Sequence, residues 1–455
     1  MSCQSEIIKN LCEWLEKKNF VIENVNLFES DDLSEGRCIL SAKNFNENDI
    51  ILQIPLNLMI NYTNSIDNLD LRHFYEWCSD SNTFTYRLTR LDALYLYLIY
   101  EYSDSNSHLS HFIASLPKVY DTPENFDLNL ISALPLRLRQ IIEVRLDKLK
   151  FRFENIKTLL NGFTKSVEIS ETFKKLVENF SFSLFNWIYC SVNTRCFHLD
   201  ELDFIDDNNK INLLNRLFGN LNRSIDKTQF KSEGQEVDNE LCCLIPYLDF
   251  MNHSFNLSNV NCYFDKTSKS YLLQAKNDIS IGSQIYGTYG YYDNKTLLTE
   301  YGFILEENPY DNVSFDKCGI MKLEKLDDNL GFEKFWQEII KHKLNSDLTC
   351  NLDSGPSWSL LKLIDYLICF ERNNECQFID YDFISEPNDI KLEFQKLLEN
   401  YKTEVDDSLN KLKKIDLNSN KYHLAVSIKF CELQLDIIKK NFVISNDQDS
   451  WLLLF

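Results

Sequence analysis

Residues 241–254 read LCCLIPYLDFMNHS, and residues 281–303 read IGSQIYGTYGYYDNKTLLTEYGF. The first stretch is apolar almost without a break until Asn252-His253-Ser254, a buried-strand signal. The second holds four of the chain's 11 glycines (Gly282, Gly287, Gly290 and Gly302) among Tyr286, Tyr289, Tyr291, Tyr292 and Tyr301. Glycine lets backbone approach a ligand closely, and tyrosine brings an apolar wall with a polar tip. A set of tight turns packed with aromatics has the same composition, so the stretch needs support from its surroundings.

Strand signals surround both stretches. Residues 260–264 and 271–275 read as a hairpin around 266–269, and residues 36–60 as two or three short strands with a turn at 46–49. Between these strand groups, about 90–230 reads as helical. Leu91, Leu94, Leu98 and Tyr102 repeat at helical spacing, 103–107 (SDSNS) is a polar break, 135–160 is a long amphipathic helix, 182–197 a buried helix and 222–240 a polar loop. A short helix opens the chain at 5–18. From about 320 the pattern is helical again, with core stripes at Leu398, Tyr401, Val405, Leu409, Leu412 and at Leu424, Ile428, Cys431, Leu435, Ile438. The expected fold is α+β: an N-terminal helix (1–20), a β-rich domain (21–310) interrupted by a helical insertion at about 90–240, and an all-α C-terminal domain (311–455).

Bulk properties narrow the function. A net charge of −22 in 455 residues repels phosphate backbones and favours a basic, lysine-rich protein partner over nucleic acid, although solubility alone is an equal reason for it. The 14 cysteines are scattered without a C-x-x-C pair, Cys242-Cys243 has poor geometry for shared ligation, and the nearest histidines are His108 and His111, so no metal is expected. Such cysteine use suits a reducing compartment, cytosol or nucleus. No signal peptide and no membrane span are expected, since the longest apolar runs fall short of about 18 residues.

No G-x-G occurs, so dinucleotide and Rossmann-type glycine loops are absent; Gly282 to Gly287 has phosphate-loop spacing, but Thr288-Tyr289 stands where its lysine belongs. What remains is five separated pieces: Glu35-Gly36-Arg37, Val192-Asn193-Thr194-Arg195, Pro246 to Ser254, Tyr286-Gly287-Thr288-Tyr289-Gly290, and Glu300-Tyr301-Gly302-Phe303. In this order the set resembles the SET-domain protein methyltransferases, most of all the branch with Rubisco large-subunit methyltransferase and SET-domain-containing protein 4. The likeness covers roughly 20–310 and, more loosely, the C-terminal helices.

The resemblance implies S-adenosylmethionine (AdoMet) as methyl donor, no metal, a knot-like crossing near the active site, a C-terminal substrate-binding region and a monomer. It implies cofactor contacts from Glu35, Gly36, Arg37, Arg195, Asn252, His253 and Tyr289. Substrate contacts fall to Arg195, Asp249, Tyr263 and Tyr301, with Tyr289 and Tyr301 catalytic. Asp249 reads equally well as an internal ion-pair partner. Relatives carry a second glycine two residues after the first; here Cys38 stands in its place. A neutral lysine amine must attack the methyl carbon, and an apolar, tyrosine-lined channel lowers its pKa by desolvation. Histidine as the methylated residue, or a scaffold without catalysis, are the competing readings.

Overall fold

The computed structural model describes residues 6–29, 36–81, 84–199, 208–218, 241–321, 329–373, 382–416 and 421–454. Backbone contacts divide the chain into two compact units. The first holds the described residues of 1–120, 146–226 and 235–291; the second holds those of 121–145 and 292–455.

The first unit is built from short strands, several of them buried over consecutive residues. Strands β1 (Val25–Glu29) and β2 (Arg37–Ser41) form an antiparallel pair, with Val25 and Leu27 inward. Strand β3 (Ile50–Pro55) joins the hairpin of β8 (Val260–Asp265) and β9 (Ser270–Ala275) in the order β3-β9-β8, as the alternation at 260–275 predicts. Strands β4 (Ile60–Asn61), β5 (Cys196–Leu199) and β6 (Leu241–Leu244) form a third sheet in the order β4-β6-β5. The fourth is the smallest: β7 (Asn252–His253) and β10 (Tyr286–Gly287) pair in parallel.

Two expectations need adjusting here. The helix expected over 182–197 ends at Arg195, and residues 196–197 are already strand. The apolar run 241–251 is strand only through Leu244. Pro246 has no N–H for a ladder, Tyr247 takes a positive φ of 79°, and a 3-10 turn follows at Leu248–Phe250. The polar stretch 222–240 lies outside the described residues.

The helices of this unit have identifiable starts. In the helix Arg90–Ser103, Thr89 accepts from the Asp92 N–H while the Asp92 carboxylate accepts from the Thr89 N–H, a capping box. This helix is buried nearly all round, from Ala93 to Ile99. The helix Phe182–Arg195 starts at Ser181, whose hydroxyl accepts from Leu184 N–H. Its Tyr189 and Phe185 pack on Tyr95, and Asn193 accepts from the Tyr95 hydroxyl at 3.2 Å. Such a cap contributes roughly 1 kcal/mol; burial of the apolar faces contributes far more.

The second unit is mainly helical, but the all-α domain expected over 311–455 is corrected by a small sheet within it. Strands β11 (Asn312–Ser314), β12 (Thr349–Asn351) and β13 (Gly355–Pro356) pair antiparallel in that order. The helices Pro387–Leu412 and Lys421–Asn446 run antiparallel, since Tyr401 bonds Gln434 while Gln395 bonds Ser445. On the second helix the buried face is centred on Val426, Ser427, Phe430 and Gln434, with Leu424 and Ile428 only half-buried. Gln434 and Asn441 sit on that face because they donate to the carbonyls of Asn312 and Asn351. No helix among the described residues is long and apolar enough to cross a membrane.

Candidate active site

The apolar run into β7 and the glycine–tyrosine segment around β10 are far apart in sequence, and the parallel pair β7–β10 brings them together. Tyr286 lies opposite Asn252, and Gly287 opposite His253. The chain can come this close because position 287 has no side chain: a Cβ there would stand 2.4 Å from the Met251 methyl. Ser254 N–H closes the pair by donating to Gly287 O at 3.0 Å.

This register fixes Tyr289. Its hydroxyl donates to Met251 O at 2.7 Å, and its ring stacks on the His253 imidazole at 5.1 Å between centroids. Its backbone N–H donates to His253 Nδ1 at 3.1 Å, which assigns the imidazole proton to Nε2. Burial pushes the Tyr289 phenol up to about 12 and pulls His253 down to about 4. Both are therefore neutral near pH 7. With its proton committed to Met251, the phenol oxygen presents lone pairs alone, which suits an amine N–H or a methyl group on a positive sulfur.

Arg195 ends the helix Phe182–Arg195, and its Nη1 donates to Asp249 O at 2.8 Å and to Asp249 Oδ2 at 3.0 Å. The Asp249 side chain is wholly buried, so of its two sequence readings the internal ion pair is what the structure contains. Burial works against the Arg195 charge, but Asp249, Tyr120 and Tyr289 together outweigh it, so the guanidinium stays charged. Arg195 also interacts electrostatically with Tyr120 and Tyr289. Both the Arg195 and the Arg37 guanidinium lie over the Phe250 ring, at 5.5 and 5.6 Å. Arg37 further pairs with Glu29 at 3.0 Å and donates to Ser115 O.

Of the expected site residues, Arg37, Arg195, Asp249, His253 and Tyr289 are thus joined by direct contacts or through Phe250 and Met251. Asn252 is half-buried beside them in β7. Gly36 takes a positive φ of 57°, with open space where a Cβ would project, as a loop approached by a ligand needs. Cys38, in place of the second glycine, is buried in β2 opposite Phe28. Glu35 lies outside the described residues. Tyr263 sits in β8, 40% exposed, and no hydrogen bond or ring contact among the described residues ties it to the cluster. Tyr301 belongs to the second unit, where it ends the helix Asn294–Tyr301 and its ring neighbours Tyr292 and Phe303 at 6.3 and 6.2 Å. Gly302 caps that helix at φ 83°, where a Cβ would lie 2.5 Å from the Asp121 backbone.

Sequence reading missed Tyr120, Phe250 and Met251 as parts of the site. Phe250 and Met251 lie within the piece Pro246 to Ser254 but were given no role, and no motif marks Tyr120; Met251 matters through its carbonyl, a group every residue has. It also missed a cluster outside the site, Cys196, His198 and Cys242.

Comparisons with known proteins bear on the fold and the family. SET domain-containing protein 4 of Artemia parthenogenetica is 27% identical over 96% of both chains. Ribosomal lysine N-methyltransferase set11 of Schizosaccharomyces pombe is 24% identical over 75% of this chain and 71% of its own. The crystal structure of the SET domain of LSMT bound to lysine and AdoHcy has the same fold, with a TM-score of 0.65 at 16% identity over 99% of this chain and 93% of that one. The SET domain family model matches residues 36–290, more than half of the sequence, so the chain belongs to the SET domain family.

Proposed function

We propose that the protein is an AdoMet-dependent protein-lysine N-methyltransferase. The observation that carries this reading is the β7–β10 pair, which places a neutral, acceptor-only phenol on Tyr289 beside Asn252 and His253. Gly36 and Arg37, with Glu35, would line the cofactor; the Asn252 amide suits the zwitterionic end of AdoMet. When bound, AdoMet supplies the methyl group on a positively charged sulfur. Tyr263 and Tyr301 are assigned to the substrate side, and Arg195 to both cofactor and substrate, held in place by its buried pair with Asp249. Residues 21–310, with the insertion at about 90–240, form the proposed catalytic domain, and 311–455 the substrate-binding one.

The chemistry asks little beyond position. Neutral lysine near pH 7.4 costs about 4 kcal/mol against an unperturbed pKa of about 10.4, and desolvation in an apolar channel lowers that cost. Transfer is then an in-line displacement for which orientation supplies most of the rate. No metal takes part in the proposed transfer. The substrate is proposed to be a basic protein segment, given the charge of −22, met by a monomer in cytosol or nucleus.

Calorimetric titration with AdoMet and its demethylated product tests the reading. Saturable one-to-one binding, weakened in Asn252→Ala, supports it. A folded wild type that binds neither ligand would make the chain a scaffold. A relative named actin-histidine N-methyltransferase, from Xenopus tropicalis, is 23% identical over 78% of this chain and 56% of its own, so the substrate panel should contain histidine as well as lysine acceptors.

A further inference from the structure

Antiparallel pairing of β5 with β6 sets His198 opposite Cys242 and Cys196 opposite Leu244. Alternation then puts Cys196, His198 and Cys242 on one face of the sheet. The other face is the core side: Cys243 is fully buried, and Phe197 packs edge-on against Tyr271 at 5.6 Å. The cysteine–histidine face is reachable from solvent, with Cys196 and Cys242 half-buried and His198 exposed.

The three side chains converge. The two sulfurs are 3.7 Å apart; the Cys196 sulfur lies 4.0 Å from His198 Nε2 and the Cys242 sulfur 4.0 Å from His198 Nδ1. Taking one ligand atom from each residue, all three fall within 4.8 Å of one another. A tetrahedral zinc with bonds of about 2.3 Å to sulfur and about 2.0 Å to nitrogen has ligand–ligand edges of about 3.6–3.8 Å. The sulfur–sulfur edge already matches that geometry; the sulfur–nitrogen edges are wider and would close by a turn of the exposed His198 ring, whereas a disulfide needs sulfurs about 2.05 Å apart. Two thiolates and an imidazole form a soft donor set that selects zinc or copper(I) over magnesium, calcium or manganese.

We propose that Cys196, His198 and Cys242 bind one zinc ion, with the fourth position left to a solvent ligand. The site is structural. It clamps β5 to β6, and those strands lead directly to Arg195 on one side and to Asp249 and Asn252 on the other. The sequence reading expected no metal because ligands on two strands, separated by more than 40 residues, have no linear signature.

The test is titration of reduced, chelator-treated full-length protein with zinc chloride in competition with a chromophoric chelator, with circular dichroism and a cooperative melt followed in parallel to confirm folding. One zinc per chain is expected, with Cys196 and Cys242 protected from a thiol reagent once zinc is added. C196S, C242S and H198A should each weaken zinc binding by more than the roughly 10- to 100-fold that loss of a partner behind a ligand costs. C262S, on the β8–β9 hairpin, should not. Cobalt(II) in place of zinc should give a thiolate charge-transfer band that C196S lacks. Unchanged zinc affinity in folded C196S and C242S, absence of binding tighter than micromolar, or uptake of copper(I) but not zinc would overturn the proposal. None of these readouts depends on methyl transfer.

Discussion

The Tyr289 hydroxyl has one proton, and that proton goes to the Met251 carbonyl. Tyr289→Phe removes the oxygen but leaves the ring on His253 and the backbone bond in place. AdoMet affinity should therefore stay within a few-fold of wild type while kcat falls by about 10- to 100-fold, roughly 1.4–2.7 kcal/mol of transition-state stabilisation, as single-turnover kinetics would resolve. Full activity in this variant would remove Tyr289 from the chemistry. His253 makes a separate prediction. Its folded pKa is depressed by burial to about 4, below the unfolded value of about 6.5. The unfolded chain thus binds a proton first as pH falls, so the contribution of His253 to stability is complete above about pH 6.5 and is lost progressively towards pH 4. In denaturant melts across that window, His253→Asn should flatten the slope, because its amide oxygen can accept the Tyr289 N–H without titrating.

Elements are held to one another by a few contacts whose loss should be costly. The Arg195–Asp249 pair joins the end of the helix Phe182–Arg195 to the 3-10 turn Leu248–Phe250. Arg195→Ala leaves a carboxylate buried without its partner, and about 3–5 kcal/mol of stability should go with it. Adding Asp249→Ala should cost less than the sum of the single changes, measurable as a double-mutant cycle. Glycines mark two other joints, and the structure ranks them. Gly302→Ala would force a left-handed φ and drive a Cβ into the Asp121 backbone, which cannot yield, so a loss above about 2 kcal/mol is expected. At Gly287 the obstacle is the end of the flexible Met251 side chain, and Gly287→Ala should cost about 1–2 kcal/mol. Equal melting shifts would contradict this ranking.

At the scale of the whole molecule, the charge of −22 is the property most open to test. If the substrate is a basic segment drawn in by that field, kcat/KM should fall several-fold as ionic strength rises from about 0.05 to about 0.5 M, because the screening length shrinks from well over 10 Å to a few ångströms. AdoMet affinity, set by short contacts in a buried site, should change much less. A salt-independent kcat/KM would return the charge to a role in solubility.

Composition, apolar period and the five ordered motifs were enough to establish the strand–helix–strand–helix order, the hairpin at 260–275, the long helix Leu136–Ser166 and most of the residues now found around Tyr289. Those signals are local: a period of two or 3.6, a turn of polar residues, a cluster of glycines among tyrosines. What only the tertiary structure decided is long-range. The parallel register of Gly287 on His253, the choice of Asp249 as partner to Arg195, the polar residues Gln434 and Asn441 turned inward to serve strand carbonyls, and the meeting of Cys196 and His198 with Cys242 each depend on which distant segment arrives. A backbone carbonyl such as that of Met251 has no letter of its own in a sequence, so its role becomes visible only once a partner is seen to stand 2.7 Å away.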